Sequence, residues 1–319
     1  MKTETEFPET LKETIEYFSD ENRALEFVRS IRWESGVATC PRCASKESYF
    51  LPSRRMWKCK GCSHKYGVRF GTIFQDSPLS LGTWMTAFWL LVNAKNGISS
   101  YEIARALGVT QKTGWFMLGR IRLAIQNGSI VKMGGVVEAD ETYIGGMARF
   151  MHAKVRKQKF GGKTGPIGKT VVMGLLEKHS GKTSRVRAEV LPSLTTAALD
   201  SRVRKYVLKG SEVHTDENQA YRHLTGDYVH KFVSHAETYV KDGVHTNGLE
   251  NFWCLLKRSI KGTYVHCAPF HLFRYLDEQT YRFNERKGND QSRFVDAMKT
   301  TEGRLTWKKL TGKSDRTAS

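Results

Sequence analysis

Two pairs of cysteines constrain this chain more than any other feature. Cys40-Pro-Arg-Cys43 is followed, after fifteen residues, by Cys59-Lys-Gly-Cys62. Two such knuckles can set four thiolates at the corners of a tetrahedron about one zinc ion. Between them Tyr49, Phe50 and Leu51, then Met56 and Trp57, read as two short strands, so residues 36–72 are expected to form a zinc ribbon. Four sulfur ligands leave no open coordination position. The Zn2+ held by Cys40, Cys43, Cys59 and Cys62 is therefore expected to be structural, supporting a unit too small to build its own core. A redox pair or a chance spacing are the other readings. Lys46, Arg54, Arg55, Lys58, Lys60 and Lys65 make the ribbon basic, which suits a DNA contact and equally a plain solvated surface.

The whole chain is basic. Its 319 residues carry 51 Lys and Arg against 32 Asp and Glu, a net charge of +19. Such a field attracts polyanions, with nucleic acid first among them, although charge alone does not separate duplex DNA from single strands or RNA. The longest apolar stretch, Trp84 to Val92, is far below the roughly 20 residues that span a bilayer, so no membrane partner is expected. The acidic N-terminus lacks the layout of a secretory signal, and the expected location is the cytoplasm, in association with the nucleoid. Thiols stay reduced there, which again favours metal ligands or buried residues over disulfides.

Residues 1–35 read as a helical lead-in, with Ile15, Phe18, Leu25 and Val28 at helical spacing. Residues 78–127 are helical in pattern. Within them Ser99 to Thr113 reads as helix, glycine turn and new helix: Gly108 suits the positive φ of a tight turn, Thr110 suits an N-cap, and Ala104 is small where two helices cross. A helix-turn-helix of this kind would present Gln111, Lys112 and Thr113 to base edges in duplex DNA. An ordinary helical hairpin has the same pattern, and Gly114 weakens the helix it sits in.

From Val131 the pattern turns to β. Val136 to Asp140, Lys169 to Glu177 and Arg185 to Val190 read as strands, with a turn expected at Glu141 to Gly146, so residues 131–287 are expected to be a mixed α/β domain. Residues 147–168, rich in Lys, Arg and Gly, read as a connector or a phosphate-contacting loop. The Gly168-Lys169-Thr170 run imitates a phosphate-binding loop but lacks the glycine five residues earlier, where Lys163 stands, and leads into a strand pattern instead of a helix. Residues 288–319 read as a basic C-terminal tail with a short helix and a frayed end.

Asp140 and Asp216 each sit at the end of a strand pattern, where two carboxylates of one sheet can converge on hard divalent cations. Each alone is also an ordinary turn residue. A third element, His245 to Arg258, places Glu250 and Lys257 seven residues apart, nearly in line on one helix face, with Asn247 a turn earlier. A solvated Glu/Lys helix would look the same.

These stretches together resemble the bacterial insertion-sequence transposases of the zinc-ribbon, DDE type, whose catalytic fold is RNase H-like. The resemblance rests on the two cysteine knuckles, Glu138-Ala-Asp140-Glu-Thr-Tyr-Ile-Gly-Gly, His214-Thr-Asp216, and His245-Thr-Asn247-Gly-Leu-Glu250-Asn-Phe-Trp-Cys-Leu-Leu-Lys257-Arg258. It continues through Gly262-Thr-Tyr-Val-His266 and Tyr281-Arg-Phe-Asn284-Glu-Arg286. It implies a transposase that binds the terminal inverted repeats of its element and, with Mg2+ or Mn2+, cleaves and transfers strands. Asp140 and Asp216 would be two of the metal-binding acids. Family patterns carry either Asn or Glu at the third position; charge favours Glu250, with Asn247 kept beside it. Lys257, with Arg258 next to it, would contact DNA phosphate, His245 and His266 would assist, and a homo-oligomer would form on DNA. The rival readings are a DNA-binding regulator with an inert nuclease domain and a nuclease that never joins ends.

Overall fold

Local capping fixes where the first helices begin. In a computed structural model that describes residues 7–33, 35–126, 131–145, 151–161, 168–178, 183–216, 219–224, 226–232 and 244–312, α1 (Leu11–Phe18) opens with a capping box between Thr10 and Glu13. A second helix, α2 (Glu21–Arg32), opens at Asp20, whose carboxylate accepts the Asn22 N–H. The lead-in is thus two helices, and the apolar stripe drawn through both breaks between them. Phe18, Leu25 and Val28 are buried, whereas Ile15 is 50% exposed.

The chain divides into two compact units, Met1–Gln126 with Gly288–Ser319, and Asn127–Lys287. In the first, β1 (Ser48–Leu51), β2 (Met56–Cys59) and β3 (Lys65–Tyr66) form an antiparallel sheet with Phe50 opposite Trp57 and Trp57 opposite Tyr66. The long α3 (Leu81–Asn93) buries Trp84, Met85, Phe88, Trp89 and Leu91, which makes it the central helix of the unit. Next, α4 (Ser100–Leu107) is opened by a Ser99/Glu102 capping box and closed by Gly108 at φ +65. Thr110 then caps α5 (Gln111–Ala124) by accepting the Thr113 N–H. Gly114 has a packing reason that its helix propensity hides. A Cβ there would lie 2.8 Å from the Ser100 carbonyl oxygen and 3.3 Å from Ile103 Cγ2, so the glycine lets α4 and α5 cross at backbone distance.

In the second unit, β4 (Val136–Gly145), α6 (Ala153–Phe160), β5 (Lys169–Lys178), β6 (Arg185–Leu191), α7 (Thr196–Tyr206), β7 (Glu212–Thr215), β8 (Val229–Phe232), α8 (Asn247–Arg258) and α9 (Leu272–Asn284) follow one another. One mixed sheet runs in the order β6-β5-β4-β7-β8, with β6, β5 and β4 antiparallel and β4, β7 and β8 parallel. Alternation along β4 divides the core. Val137 and Ala139 pack with Leu199 and Val203 of α7, while Ile144 joins Leu249, Phe252, Trp253 and Leu256 of α8 and Leu276 of α9 on the opposite face.

The strand carrying Asp140 does not end there. Glu141 to Gly145 continue β4, because β5 pairs with it as far as Gly145 opposite Lys169, while the parallel partner β7 matches Val136 to Glu138 alone. The turn expected at Glu141 does not form over 141–145, which are strand, while Gly146 lies outside the described residues; Asp140 lies where one neighbour of β4 stops and the other goes on. Of the loop expected at 147–168, residues 151–161 hold α6, with exposed Lys154, Arg156 and Lys157, and residues 147–150 and 162–167 fall outside the described residues. Lys169 and Thr170 open strand β5, in keeping with rejection of a phosphate-binding loop.

Past Gly288 the chain adds α10 (Asp290–Met298) and α11 (Trp307–Thr311) to the first unit. Phe294 stacks on Phe27 with ring centroids 5.6 Å apart. Trp307 meets Trp115 and Phe116 of α5 edge-on. The buried Arg120 guanidinium donates to the carbonyls of Ile73, Gln75 and Leu305 at 2.9, 2.9 and 3.2 Å, so the cation is solvated by backbone from two segments far apart in the chain. No helix among the described residues is long and apolar enough to cross a membrane.

Gly114→Ala separates propensity from packing. Helix propensity alone would stabilise the variant by about 1 kcal/mol, but a Cβ against a rigid carbonyl costs about 1–3 kcal/mol. A net loss of about 1–2 kcal/mol is expected in urea unfolding followed by tryptophan fluorescence; a gain would show that the two helices separate freely.

Candidate functional site

The four cysteine sulfurs lie within 4.8 Å of one another. Cys40 and Cys62 are 3.6 Å apart and Cys43 and Cys59 3.5 Å apart, close to the roughly 3.8 Å edge of a tetrahedron built on Zn–S bonds of about 2.3 Å. Donation from the Cys62 backbone N–H, supported by Cys43 and the Gly61 N–H, draws the Cys59 thiol down while the neighbouring sulfurs push the Cys43 thiol up, as expected of thiols crowded about one point. The donor set and its size fit a structural Zn2+.

In the second unit, parallel pairing of β4 with β7 sets Glu138 opposite His214. Continuing that register by two residues brings Asp216, just past the end of β7, beside Asp140. On the other side Gly174 of β5 faces Asp140 directly. A Cβ on Gly174 would stand 2.6 Å from Trp253 and 2.9 Å from Leu249. The glycine therefore opens the place where the Trp253 indole lies on the sheet and donates its Nε1–H to Asp140 Oδ2 at 2.9 Å. The second oxygen of Asp140 accepts the Glu141 N–H at 2.7 Å.

Burial raises the Asp140 carboxyl to about 6; the two hydrogen bonds pull it down, and the charges of Asp216 and Glu250 push it up further. The charges of Asp216 and Glu250 thus both reach Asp140. The oxygens of the three acids are spread more widely than the cysteine sulfurs, since the tight four-cysteine group is the ligand cluster found among the described residues. Glu141 points to the other face of β4, where it accepts the hydroxyl proton of buried Tyr221; burial and that carboxylate hold the phenol well above its usual range.

Near the start of α8 the sequence offered Asn247 and Glu250. Asn247 is exposed and Glu250 half-buried, with the Thr246 hydroxyl 3.5 Å from Glu250 Oε1. At the other end of α8 Lys257 is half-buried and Arg258 exposed. His266 is exposed; His245 lies 3.3 Å from Glu138 Oε1, beside Lys178. Other motif residues have packing duties. Asn284 bonds both the N–H and the carbonyl of Val186 on β6, at 2.7 and 3.0 Å, and Tyr264 and Arg282 both bond buried Glu278. At the head of α5, Gln111 donates to Ser100 Oγ at 2.8 Å, Lys112 lies over the Trp307 ring at 4.7 Å, and the Thr113 hydroxyl pairs with that of Thr110.

Three residues near the acids escaped the sequence reading as contributors: Trp253, Gly174 and Glu138. Trp253 repeats at one helical turn from Leu249 and was legible as apolar core. Its polar N–H was the available hint, since a buried indole needs an acceptor.

Residues 132–284 match the model of the ISXO2-like transposase domain, and residues 19–65 match that of the transposase zinc-ribbon domain. A curated relative, the uncharacterized protein in transposable element ISH50 of Halobacterium salinarum, is 27% identical over 259 residues, which cover 76% of this chain and 84% of the relative.

The raised Asp140 carboxyl has a stability consequence. Its folded value of about 6 lies above its ordinary 3.8, so stability contributed by the protonated form is complete below about pH 3.8 and is lost as pH rises through 6. Asp140→Asn removes the charge and keeps one acceptor. In metal-free protein it is expected to be more stable than the parent by about 1–2 kcal/mol at pH 7.5 and not at pH 4. Equal unfolding midpoints at both pH values would contradict the burial of a penalised charge.

Proposed function

Since the chain belongs, by both of its matched domains, to the zinc-ribbon DDE-type insertion-sequence transposases, we propose that it is a DNA transposase whose second unit cuts and joins strands at Asp140, Asp216 and Glu250. The observation that carries this reading is the state of Asp140. A carboxylate that is buried, lifted to about 6 and facing two further acids lowers the stability of the fold that retains it, and divalent cations would relieve the repulsion. The order β6-β5-β4-β7-β8, with its antiparallel half and its parallel half, supports an RNase H-like reading of the unit.

Asp140, Asp216 and Glu250 would hold Mg2+ or Mn2+, which when bound supplies activation of an attacking oxygen and stabilisation of the leaving one. Trp253 fixes the Asp140 rotamer by its hydrogen bond. Glu250 is the third acid of this reading because its charge acts on Asp140, whereas Asn247 is an exposed amide one turn away. Lys257 and Arg258 would neutralise phosphates along the same helix. Hydrolysis would free a 3′-hydroxyl at the element end, and that hydroxyl would then displace a target strand, two in-line transfers that one site can serve.

In the first unit, α4, the Gly108 turn and α5 act in this reading as a helix-turn-helix on the terminal inverted repeats, with Gln111, Lys112 and Thr113 towards the bases. The basic ribbon adds phosphate contacts, the protein works in the cytoplasm on nucleoid DNA, and pairing two ends calls for a homo-oligomer.

The test is purified protein with Mg2+ and duplex DNA bearing the element's ends. Cleavage and strand transfer are expected, and Asp140→Asn and Asp216→Asn should each lower both by roughly a hundredfold or more. Glu250→Gln should do the same, with Asn247→Ala staying within about tenfold; the reverse pattern would move the third position to Asn247. Metal-independent binding without cutting would point to a regulator, and cutting without joining to a nuclease.

A further inference from the structure

Glu138 is fully buried in the middle of β4, one strand repeat before Asp140 on the same face of the sheet. Its Oε2 accepts the Leu249 N–H at 2.9 Å. Its Oε1 lies 3.1 Å from Lys178 Nζ and 3.3 Å from His245 Nδ1. Leu249 is the third residue of α8, and the residue preceding that helix, Thr246, gives it no side-chain cap. A helix N-terminus carries partial positive charge on unpaired N–H groups. Here the cap comes from another element, a carboxylate on the sheet.

The approach is built for closeness. A Cβ at Gly248 would lie 2.8 Å from Glu138 Oε2 and 2.8 Å from Leu176 Cδ1, so glycine alone lets the first turn of α8 descend onto the carboxylate. The helix is then held at two points of one strand: Glu138 grips the Leu249 N–H, and Asp140 grips the Trp253 indole N–H. Two strand residues advance about 6.8 Å, and four helical residues advance about 6 Å. The repeats match, and α8 is pinned along β4 in both translation and rotation. Glu250 follows Leu249 directly, so whatever fixes Leu249 fixes where the third carboxylate stands.

We propose that Glu138 is a positioning residue of the acidic site, setting through α8 the placement of Glu250 relative to Asp140 and Asp216, with the Lys178 ammonium as its counter-charge and His245 beside it. The inference rests on the transposase reading given above, and it adds a residue that touches neither DNA nor the reacting atoms. It predicts an effect on cation affinity more than on folding, because removal of a supporting contact behind a metal ligand typically weakens metal binding by about 10–100-fold.

The test is Mn2+ binding, followed by the loss of the free-ion electron paramagnetic resonance signal, together with the Mn2+ dependence of cleavage, on full-length zinc-loaded protein. Glu138→Ala is expected to raise both half-saturation points by about 10–100-fold. Glu138→Gln, which keeps an acceptor for the Leu249 N–H, is expected to recover most of that loss. Because Glu138→Ala leaves half-buried Lys178 and His245 without their shared carboxylate, Gly248→Ala serves as the second variant: it leaves the charge in place, lifts the helix turn, and should weaken Mn2+ binding in the same range. Parental Mn2+ affinity in Gly248→Ala and Glu138→Gln, with a loss confined to thermal stability in Glu138→Ala, would overturn the positioning role. Failure of the transposase reading has a different signature, namely Mn2+-dependent cleavage that survives Asp140→Asn.

Discussion

A tryptophan-bearing helix lying flat on the sheet is what makes the acidic centre of the second unit sustainable. Asp140 sits under a roof of Trp253 and Leu249, and it is accommodated there because Gly174 across the strand leaves room for the indole whose N–H answers one carboxylate oxygen. With a larger residue at 174 the helix would ride higher, the hydrogen bond would lengthen, and water would reach the carboxylate. Burial, the largest cause of the raised Asp140 carboxyl, would then fade. The architecture thus keeps a charge in a poor solvent next to two of its own kind. That arrangement is unfavourable for the fold that carries it.

The opposite face of the same strand shows how tightly the two periodicities are joined. Val137 and Ala139 fill the core against α7, and between and beyond them Glu138 and Asp140 serve α8. A slip of one residue in the pairing of β4 would exchange acids for apolar side chains and ruin both layers. The long antiparallel match with β5, ten residues from Val136 to Gly145, fixes that register.

Features written in neighbouring residues were legible in the sequence. The two cysteine knuckles, the Ser99/Glu102 and Thr110 caps, the left-handed Gly108 and the strands at Lys169 and Arg185 all depend on contacts within a few positions. What could not be read depends on the other side of the contact. Gly114 looks like a weak spot in a helix until the Ser100 carbonyl is placed against it, and Glu138 looks like a surface carboxylate until the N-terminus of α8 arrives, 111 residues later in the chain. The run Glu141 to Gly146 has turn composition, yet five of its residues stay in β4 because β5 goes on pairing with them. Asp140, Asp216 and Glu250 were nameable from motif order, whereas the electrical link of the other two with Asp140 needed the register of β4 with β7 and the seating of α8 on β4.

The second unit is an insertion: the chain leaves the first unit at Gln126 and re-enters it at Gly288. Phe294, Leu305, Trp307 and Leu310 supply the part of the first unit's core that meets Phe27, Trp115, Phe116 and Gly119. On a ribosome, therefore, the second unit has all of its residues before α10 and α11 of the first unit have theirs. Buried Arg120 waits for the Leu305 carbonyl until almost the last stretch emerges. A chain cut short by translational arrest or a frameshift after Lys287 would carry all of the second unit and a first unit that lacks part of its core.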